Sequence, residues 1–384
     1  MIACALAPPA ADGMLHVLFV ALTENDTMRG VERYALELVR ALATGHSGEV
    51  RVTVLCGSWQ GYFNELRALG VEILVAPTRN RKSSRHAFLL TRMRALSRRF
   101  DLVHYGNLLP MGLPNRVPST MTIHDVAEYA LRGKYSAPRA LYRQLVGLRA
   151  RHSTMEIAAD SMFTRDEIVR HLRMKPERIS VIYPGVGHFR DLAPEARMDP
   201  GYPYFLYYGV IEATKGADTA VHAFKRLVDE GSAGEFRLLL IGRKGNAFAR
   251  LSPLIDGQLI VHLGFQEDAR LQAYIRGAAA VIFVSRYEGF GLPAVEAYML
   301  NDHIIASQGN SVGEVTRGFA LQVDENSVEA LLEALRAVCK GRAPLPALSR
   351  TSVLERFSWS RAAEQMLALF HKAIARQRAT ARVH

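Results

Sequence analysis

The chain alternates short apolar runs with amphipathic segments, and this alternation limits its possible folds more than any other feature. The apolar run Leu15–Leu22 predicts a buried strand, and Gly30–Leu42 predicts a helix with one apolar face. That face carries Val31, Tyr34, Leu38, Val39 and Leu42. Further strands are predicted at Arg51–Cys56, Val71–Ala76, Leu102–His104 and Ser119–Ile123. Strands that alternate with helices are typical of a parallel sheet covered by helices on both faces.

The same alternation restarts after Asp191–Pro203, a segment rich in Asp, Pro, Gly and Ala that predicts a hinge. Strands are then predicted at Tyr204–Gly209, Arg237–Gly242, Leu259–Leu263, Ala280–Val284 and His303–Ala306. Arg361–Ile374 predicts a final amphipathic helix, with Ser358 or Ser360 as its cap. The expected layout is a loose tail at residues 1–13, Rossmann-like α/β domains at 14–198 and 199–356, and a C-terminal helix at 357–384. Two such domains leave a cleft at the carboxyl ends of their strands, where ligands bind.

The composition is that of an ordinary globular protein, with 49% apolar and 22% charged residues. A length of 384 residues predicts about two domains. No apolar stretch approaches the roughly 18 to 20 residues that span a bilayer, and the first residues lack the basic region of a signal peptide. Three scattered cysteines predict neither a disulfide framework nor a zinc site. A cytoplasmic location is therefore expected.

Two glutamates, Glu288 and Glu296, lie eight residues apart across a Gly-Phe-Gly turn that follows a predicted strand. A helix is predicted to start near Pro293. The glycines in the turn let backbone N–H groups approach an anionic or sugar group closely. A glutamate in a first helical turn also complements the helix dipole, and a loop glutamate is usually solvated. The spacing alone therefore leaves a functional and a structural interpretation open.

The whole string decides between them. Glu288-Gly289-Phe290-Gly291-Leu292-Pro293, followed by Glu296, resembles the E-x7-E signature of glycosyltransferase family 4, the retaining group 1 enzymes with the two-domain GT-B fold. Other segments that look like family patterns are Gly30–Leu42, His124-Asp125, Ala159–Ser161, Tyr183–Val186, Tyr208–Gly216, Val261–Phe265 and Phe357–Trp359. The resemblance covers nearly all of residues 14–375 and implies that the C-terminal helix packs back on the first domain.

The resemblance implies roles for individual residues in binding a nucleotide sugar. Glu296 would accept hydrogen bonds from two ribose hydroxyls, because a carboxylate offers two oxygens to vicinal donors. Glu288 would contact hydroxyls of the transferred sugar, and Lys215 would neutralise the diphosphate leaving group. His124 would hydrogen-bond the sugar or shield developing positive charge. The remaining implied residues are Gly209, Glu212, Arg243, Phe265, Gly289, Phe290, Gly291 and Leu292 on the donor side, and Gly30 and Asp125 on the acceptor or sugar side.

The resemblance also implies a mechanism. Retention through a double displacement would need a carboxylate nucleophile. Enzymes of this family are instead thought to react on one face of the sugar, with the donor phosphate taking the acceptor proton. None of the fourteen aspartates stands two residues from another, so a D-x-D metal motif is absent from the sequence. With lysine and backbone amides available for the phosphates, neither a metal nor another cofactor is expected.

Three positions depart from the family pattern. Val210 stands where many relatives carry an arginine, so Arg243 or Lys244 is expected to compensate. Asn301-Asp302-His303 replaces the usual Gly-x-Pro, and Asn301 is expected to adopt the left-handed geometry of the missing glycine. Arg29-Gly30 replaces a Gly-Gly pair, which leaves close backbone approach possible at Gly30 only.

The net charge of +11 is concentrated in the first half. Residues 1–198 hold 27 Lys/Arg and 18 Asp/Glu, whereas residues 199–384 hold 21 and 19. Arg79–Arg99 has eight basic residues and Arg132–Arg151 has six, both without an acid. The first run also has Phe88, Leu89, Leu90, Met93 and Leu96 between its cations. Such runs are either solvated faces or, as a basic amphipathic helix, a surface for anionic membrane lipid. Nucleic acid is not expected, because no recognition-helix or aromatic stacking motif accompanies the charge.

These features predict a retaining glycosyltransferase that moves a hexose from a UDP-sugar or GDP-mannose to a saccharide acceptor. The acceptor is expected to be lipid-linked, for a bacterial surface polysaccharide, with the enzyme on the inner face of the cytoplasmic membrane. The alternatives are a nucleotide-sugar epimerase or a phosphorylase of the same fold, and a non-catalytic nucleotide-sugar-binding or membrane-scaffold protein.

Overall fold

The structure, a computed structural model, describes residues 13–107, 117–131, 155–187 and 197–381. Most of the predicted tail, the first part of the predicted hinge and the basic run Arg132–Arg151 lie outside these ranges. The chain divides into two compact units. The first unit runs to Gly185 and includes the chain from Phe357 onward, and the second is Val186–Arg356. The division falls at Gly185/Val186, whereas the sequence prediction put it at residues 198/199.

Strands and helices alternate along both units. The strands are β1 Leu15–Val20, β2 Val50–Cys56, β3 Glu72–Val75, β4 Leu102–Tyr105, β5 Ser119–Ile123, β6 Glu156–Ala159, β7 Ile179–Val181, β8 Tyr204–Tyr208, β9 Arg237–Ile241, β10 Ile260–Gly264, β11 Ala280–Phe283, β12 Ile304–Ser307 and β13 Ala320–Val323. The helices are α1 Gly30–Gly45, α2 Lys82–Thr91, α3 Met93–Leu96, α4 Ala127–Ala130, α5 Met162–Leu172, α6 Ala217–Asp229, α7 Phe248–Leu251, α8 Asp268–Gly277, α9 Leu292–Tyr298, α10 Ser311–Thr316, α11 Val328–Cys339, α12 Arg350–Arg356 and α13 Trp359–Ala381.

In the first unit, the described strands form one parallel sheet in the order β3-β2-β1-β4-β5-β6-β7. The order reverses at β1, which pairs with β2 on one side and β4 on the other. β1 is buried because helices cover the sheet, and its residues from Val17 to Val20 have no exposed surface. Four of the five predicted α1 face residues are buried, and Val31 is half-buried. This arrangement confirms the predicted α/β class.

The helix α13 belongs to the first unit. Its apolar side chains, such as Met366 and Phe370, join α1 and β1 in one core cluster. A buried carboxylate also ties it to the sheet: Glu156 on β6 has 0% exposure. Lys372 Nζ lies 2.8 Å from Glu156 Oε2, and Arg376 Nε lies 2.5 Å from Oε1. Since an isolated buried charge is costly, the two cations stabilise this carboxylate and fix the helix in register.

In the second unit, the strands form a parallel sheet in the order β10-β9-β8-β11-β12-β13. Here the order reverses at β8, which pairs with β9 and β11. In open α/β sheets the crevice at the carboxyl end of such a reversal is the usual ligand site. The segments that leave this end of β8 and β11 begin at Gly209 and Val284, and they carry most of the residues predicted to bind the donor.

Candidate active site

The turn after β11 brings Glu288 close to a lysine from another segment. Lys215 Nζ lies 2.5 Å from Glu288 Oε1, and the same oxygen accepts a hydrogen bond from Ser285 Oγ at 3.2 Å. Ser311 Oγ, at the start of α10, donates to the backbone oxygen of Glu288 at 2.6 Å. The predicted sugar-binding acid and the predicted diphosphate-binding cation therefore lie side by side in the second unit.

The end of the turn is held by glycine geometry. Gly291 has φ +95, in the left-handed region, and a Cβ there would lie 2.8 Å from Val312 Cγ2. α9 begins directly after it, with Pro293 in the first turn. Glu296 lies one turn into α9 and is 8% exposed, so its carboxylate is largely shielded from water. Glycine at position 291 is thus required both by backbone conformation and by space.

Tyr208, the last residue of β8, links that strand to α9. Its hydroxyl donates to the carbonyl oxygen of Pro293 at 2.6 Å. Burial, followed by the nearby charges of Glu296 and Asp268, raises the pKa of the Tyr208 hydroxyl well above its ordinary value. Tyr208 therefore stays neutral and serves as a donor that anchors the start of the glutamate-bearing helix.

Lys215 is carried by a tight loop that packs against the end of β11. Residues Ala213–Lys215 form one turn of 3₁₀ helix, followed by Gly216 with φ +72. A Cβ on Gly216 would overlap the carbonyl oxygen of Val284, so the two segments approach as closely as backbones allow. Thr214 Oγ1 donates to Glu212 Oε2 at 3.3 Å, which fixes the acid at the start of this loop.

Arg286 joins this loop to the glutamate turn. Its guanidinium forms a bidentate pair with Asp218, with Nη1–Oδ1 at 2.7 Å and Nη2–Oδ2 at 3.1 Å. Nη2 also donates to Thr219 Oγ1 at 2.8 Å, and Nε donates to Asn326 Oδ1 at 3.1 Å. Sequence reasoning gave Arg286 no role, because its partners come from segments remote in the chain.

At the ends of β9 and β10, two cations lie beside aromatic rings. The Arg243 guanidinium lies 5.5 Å from the ring centre of Phe265, and Lys244 Nζ lies 4.5 Å from that of Phe248. Phe265 is 59% exposed, which is unusual for a large apolar side chain. The backbone oxygen of Arg243 accepts from Ile211 N at 3.0 Å, which places it beside the loop that follows Gly209.

In the first unit, His124 follows β5 and is held on both ring nitrogens. Nδ1 lies 2.6 Å from Asp160 Oδ2, and Nε2 lies 3.0 Å from the carbonyl oxygen of Gly106. The ring of Tyr34 packs edge-on against it at 4.7 Å. Burial alone would lower the pKa of His124, but the charge and hydrogen bond of Asp160, together with the Gly106 carbonyl, raise it above its ordinary value.

Two acceptors bracket the imidazole, so both nitrogens donate, and the ring is most stable in the protonated form. Sequence reasoning expected the His124 side chain to hydrogen-bond the sugar or shield charge, but it did not identify Asp160 as a partner. In the structure no ring nitrogen is left over for a ligand. The only signal in the sequence was Ala159-Asp160-Ser161 at the end of a short strand.

The other first-unit predictions occupy exposed positions. Asp125 is exposed, and its Oδ1 accepts a hydrogen bond from Ala127 N at 2.9 Å, which starts α4. Gly30 is exposed at the start of α1, and a Cβ there would meet nothing within 4 Å. The protein itself therefore imposes no close approach at Gly30, and the space above it is open.

Comparison with known proteins places this architecture in a family. The model described as Glycosyltransferase Family 4 matches residues 28–188, and the model described as Glycosyl transferases group 1 matches residues 189–351. The chain belongs to glycosyltransferase family 4. Its fold, two Rossmann-like units each with a parallel sheet, is of the GT-B class.

Curated proteins similar to this family 4 chain are glycosyltransferases. It is 27% identical over 278 residues to D-inositol 3-phosphate glycosyltransferase of Rhodococcus opacus, over 67% of this chain and 62% of the relative. The chain thus spans less than two thirds of that relative's length. It is 24% identical over 349 residues to O-antigen chain mannosyltransferase B of Escherichia coli, over 83% of this chain and 88% of the relative.

Among solved structures, HepE of Anabaena in complex with UDP and glucose matches with a TM-score of 0.62 at 14% identity. The match covers 92% of this family 4 chain and 98% of that chain. At this level of identity the likeness shows a shared fold.

One departure from the family pattern is resolved differently from the sequence prediction. Among the described residues, Arg173 is the non-glycine residue with positive φ, so Asn301 does not adopt the expected left-handed geometry. Instead, Asn301 Nδ2 donates to the carbonyl oxygens of Ile275 at 2.8 Å and Ala278 at 2.7 Å. Its Oδ1 accepts from His303 N at 2.8 Å. The turn of this family 4 chain is therefore held by side-chain hydrogen bonds.

Two further properties of this family 4 chain concern its described residues. Within those residues, no group of three or more His, Cys, Asp or Glu side chains is arranged to hold a metal ion. None of the helices in the same ranges combines the length and the apolar character needed to cross a bilayer.

Proposed function

We propose that this chain is a retaining glycosyltransferase that transfers a hexose from a UDP-sugar or GDP-mannose to a lipid-linked saccharide acceptor. The observation that carries the proposal is the 2.5 Å pair of Lys215 and Glu288, followed in the chain by the shielded carboxylate of Glu296 on α9. A cation and two acids at the reversal point of an α/β sheet suit a ligand with a diphosphate and two sets of hydroxyls. A nucleotide sugar is such a ligand.

Each of these side chains has a task in donor binding. Glu296 accepts hydrogen bonds from the two ribose hydroxyls, and Glu288 accepts them from the transferred sugar. Lys215 exchanges part of its contact with Glu288 for the diphosphate and stabilises the leaving group. The backbone amides of residues 289–292 hold the sugar and phosphate end. These tasks need no metal ion, so we propose that the reaction is metal-independent.

A diphosphate carries more charge than Lys215 alone can neutralise, especially since that lysine is already paired with Glu288. Arg243 and Lys244 are exposed, and neither forms an ion pair with a carboxylate in the described ranges. Arg243 stands beside the loop of Val210, the position at which the family pattern has an arginine. We therefore assign the compensating charge to Arg243 and the base-side contact to Phe265.

The chemical step leaves the configuration unchanged. The bond between the anomeric carbon and the phosphate oxygen breaks, and the acceptor oxygen bonds to that carbon on the same face. The acceptor hydroxyl proton passes to the departing phosphate oxygen. The protein supplies position and charge stabilisation. Gly30 and Asp125 in the first unit are assigned to the acceptor or sugar side.

Two similar proteins support this choice of donor and acceptor. One is an O-antigen chain mannosyltransferase, and HepE was solved with UDP and glucose. The first names mannose as the transferred sugar, and the second contains a uridine nucleotide. These two proteins support a UDP-sugar or GDP-mannose as the donor.

A basic surface on the first unit supports a lipid-linked acceptor. Its exposed arginines are Arg79, Arg81, Arg92, Arg94 and Arg98. Most apolar residues between them point inward, because Phe88, Leu89 and Met93 are buried in the core of the unit, and Leu90 is the exposed one at 47%. We propose that this surface adsorbs to anionic lipid of the inner membrane face by charge, at about 1 kcal/mol per cation, and does not insert. A cytoplasmic enzyme held there would meet its acceptor at the membrane.

The experiment that tests the proposal starts with binding. The full chain is titrated with UDP, GDP and ADP, and thermal stabilisation is measured; a ligand at 100 times its dissociation constant adds about 2.7 kcal/mol. The matching nucleotide sugar is then incubated with and without saccharide acceptors, and the anomeric configuration of the product is read by NMR. Conversion of the donor without an acceptor would support the epimerase. Binding without any turnover would support a non-catalytic protein.

A further inference from the structure

Arg286 lies in the turn of residues 285–291 that carries Glu288. Its side chain makes hydrogen bonds to other parts of the protein. A guanidinium has five N–H donors. In Arg286 all five are used: on the two oxygens of Asp218, on Thr219 Oγ1, on Asn326 Oδ1 and on the carbonyl oxygen of Ala213. No donor is left for a phosphate or a sugar hydroxyl. Arg286 therefore acts through its protein partners and not by contacting a ligand.

Those groups belong to the loop that carries Lys215 and to the helix that follows it. Ala213 is in the same 3₁₀ turn as Lys215, and Asp218 and Thr219 lie in the first turn of α6. The backbone joins in, because Arg286 N donates to the carbonyl oxygen of Thr214 at 2.9 Å. Arg286 therefore contacts the loop that carries Lys215 with both its side chain and its main chain.

The segments joined by Arg286 are also closely packed and anchored. Gly216 closes the loop with φ +72, and a Cβ there would overlap the carbonyl oxygen of Val284, two residues before Arg286. Thr219 is buried and donates to the Glu325 carbonyl oxygen at 3.1 Å, so this partner is itself anchored. Burial would raise the pKa of Asp218, but the hydrogen bonds and charge of Arg286 hold it below its ordinary value.

We propose that Arg286 is a positioning residue that sets the place of Lys215 relative to Glu288. Glu288 stands two residues beyond Arg286 in the same turn, so one side chain spans the distance between the acid's segment and the cation's segment. The inference rests on the proposed donor role of Lys215. Lysine cannot replace this arginine, because its ammonium has three donors on one atom and cannot fork to four residues.

The test is a double-mutant cycle between Arg286 and Lys215, with the affinity of the full chain for UDP and GDP measured by calorimetry. Arg286→Lys keeps the charge and removes the fork, and Asp218→Asn is a milder variant that keeps the shape of the partner. Both are expected to weaken nucleotide binding, Arg286→Lys by about tenfold. In a Lys215→Ala background the same Arg286→Lys change is expected to alter affinity less than about twofold, because the residue acts through Lys215.

The matched control is Arg336→Ala, since Arg336 is another arginine of the second unit that pairs with several acids, Glu230 and Glu333 among them. It is expected to lower stability without changing nucleotide affinity. Melting temperatures are recorded for every variant, and binding is measured well below them.

The outcomes separate the inference from the proposed function. Loss of affinity for Arg286→Lys that persists in full in the Lys215→Ala background overturns the positioning role, as does unchanged affinity of Arg286→Lys and Asp218→Asn. Unchanged affinity of Lys215→Ala alone contradicts the donor role of that lysine, and binding of neither UDP nor GDP contradicts the proposed donor. A loss confined to backgrounds that retain Lys215 supports the inference.

Discussion

Asp160 and His124 form a largely buried pair at the carboxyl end of the first sheet, with Oδ2 and Nδ1 2.6 Å apart. The opposite nitrogen of the ring faces the Gly106 carbonyl oxygen at 3.0 Å. The pair ties together the ends of β4, β5 and β6, which are neighbours in the sheet. His124 thereby acts as a structural cross-link whose strength depends on its proton.

Asp160→Asn is expected to lower the pKa of His124 and to reduce the free energy of unfolding by about 1–3 kcal/mol near pH 6. Because the folded pKa lies above the ordinary 6.5, this stabilisation is full below that value and is lost as the pH rises through the folded pKa. Urea unfolding of wild type and variant across this range measures the difference, which should shrink at high pH.

The groups that face the ring must be considered in that experiment. They are Asp160, the exposed Asp125, the ring of Tyr34 and the neighbouring His104. Burial lowers the pKa of His104 to about 3, so it stays neutral throughout. Asp125→Asn is the control, since it contributes least to the shift. A pH dependence that Asp160→Asn leaves unchanged would contradict the cross-link.

Replacement of Glu288 and of Glu296 is expected to change different quantities. Glu296→Ala should weaken nucleoside diphosphate binding by about 10- to 100-fold, because it removes hydrogen bonds to a charged group. Glu288→Ala should reduce turnover more than binding, because it contacts the transferred sugar. Calorimetry and donor turnover give the two quantities. Glu333→Ala, an exposed acid on α11, should change neither, and unchanged values in both turn variants would remove the site assignment.

Gly216→Ala is expected to lower the free energy of unfolding and to weaken donor binding together. Its methyl group would overlap the Val284 carbonyl oxygen, and its φ of +72 adds strain of about 1–3 kcal/mol. The control is Gly231→Ala, which has a similar φ of +68 but meets nothing within 4 Å. Chemical denaturation should show the larger loss at Gly216, and only that variant should lose nucleotide affinity. Equal losses at both positions would mean that the close approach to β11 is unimportant.

Arg243→Ala is expected to raise the dissociation constant for UDP or GDP about fivefold, near 1 kcal/mol, with a weaker dependence on salt. Val210→Arg in that background should restore affinity, because Val210 is exposed beside the same loop. Lys225→Ala is the control, since that lysine is paired with Asp229 on α6. Titrations at two ionic strengths measure the effect. If Val210→Arg does not restore affinity, the two positions do not serve the same role at the diphosphate.

Charge reversal of Arg92, Arg94 and Arg98 is expected to reduce binding to anionic vesicles by about 3 kcal/mol or more. Co-sedimentation with phosphatidylserine vesicles measures the partition, and donor binding serves as the check on folding. Reversal of Arg165, Arg170 and Lys175, exposed or half-exposed cations elsewhere in the first unit, makes the same change in net charge. Equal loss in both triple variants would mean that overall charge, and not this surface, attracts the membrane.

The sequence predicted strands where an apolar run was evident, as at Ser119–Ile123 and at the four-residue β4, and it missed β6, β7 and β13. β6 has four residues and begins with Glu156. A charged residue at this position predicts an exposed site, but in the structure Lys372 and Arg376 pair with the buried carboxylate. β7 and β13 are similarly brief. Strands of this length are set by neighbours in the sheet more than by their own residues.

The candidate site was predictable to the extent that its residues lie together in the chain. Glu288 and Glu296 share one motif, whereas Asp160 and Arg286 work through partners that folding brings from distant segments. The basic segment shows the same limit, because alternating cations and apolar residues suggested an amphipathic membrane helix. In the structure Phe88 and Met93 lie in the core, and the exposed surface is mainly basic, with Leu90 as an exposed apolar side chain.

The place of α13 has a consequence for the order in which the protein is made. The first unit contains the earliest residues of the chain, yet part of its core, including Met366 and Phe370, is synthesised after the whole second unit. Until then the apolar face of α1 and the carboxylate of Glu156 lack their final cover. On the ribosome, the second unit can therefore complete its fold before the first. Until α13 is synthesised, the first unit exposes part of its apolar core and is prone to aggregation.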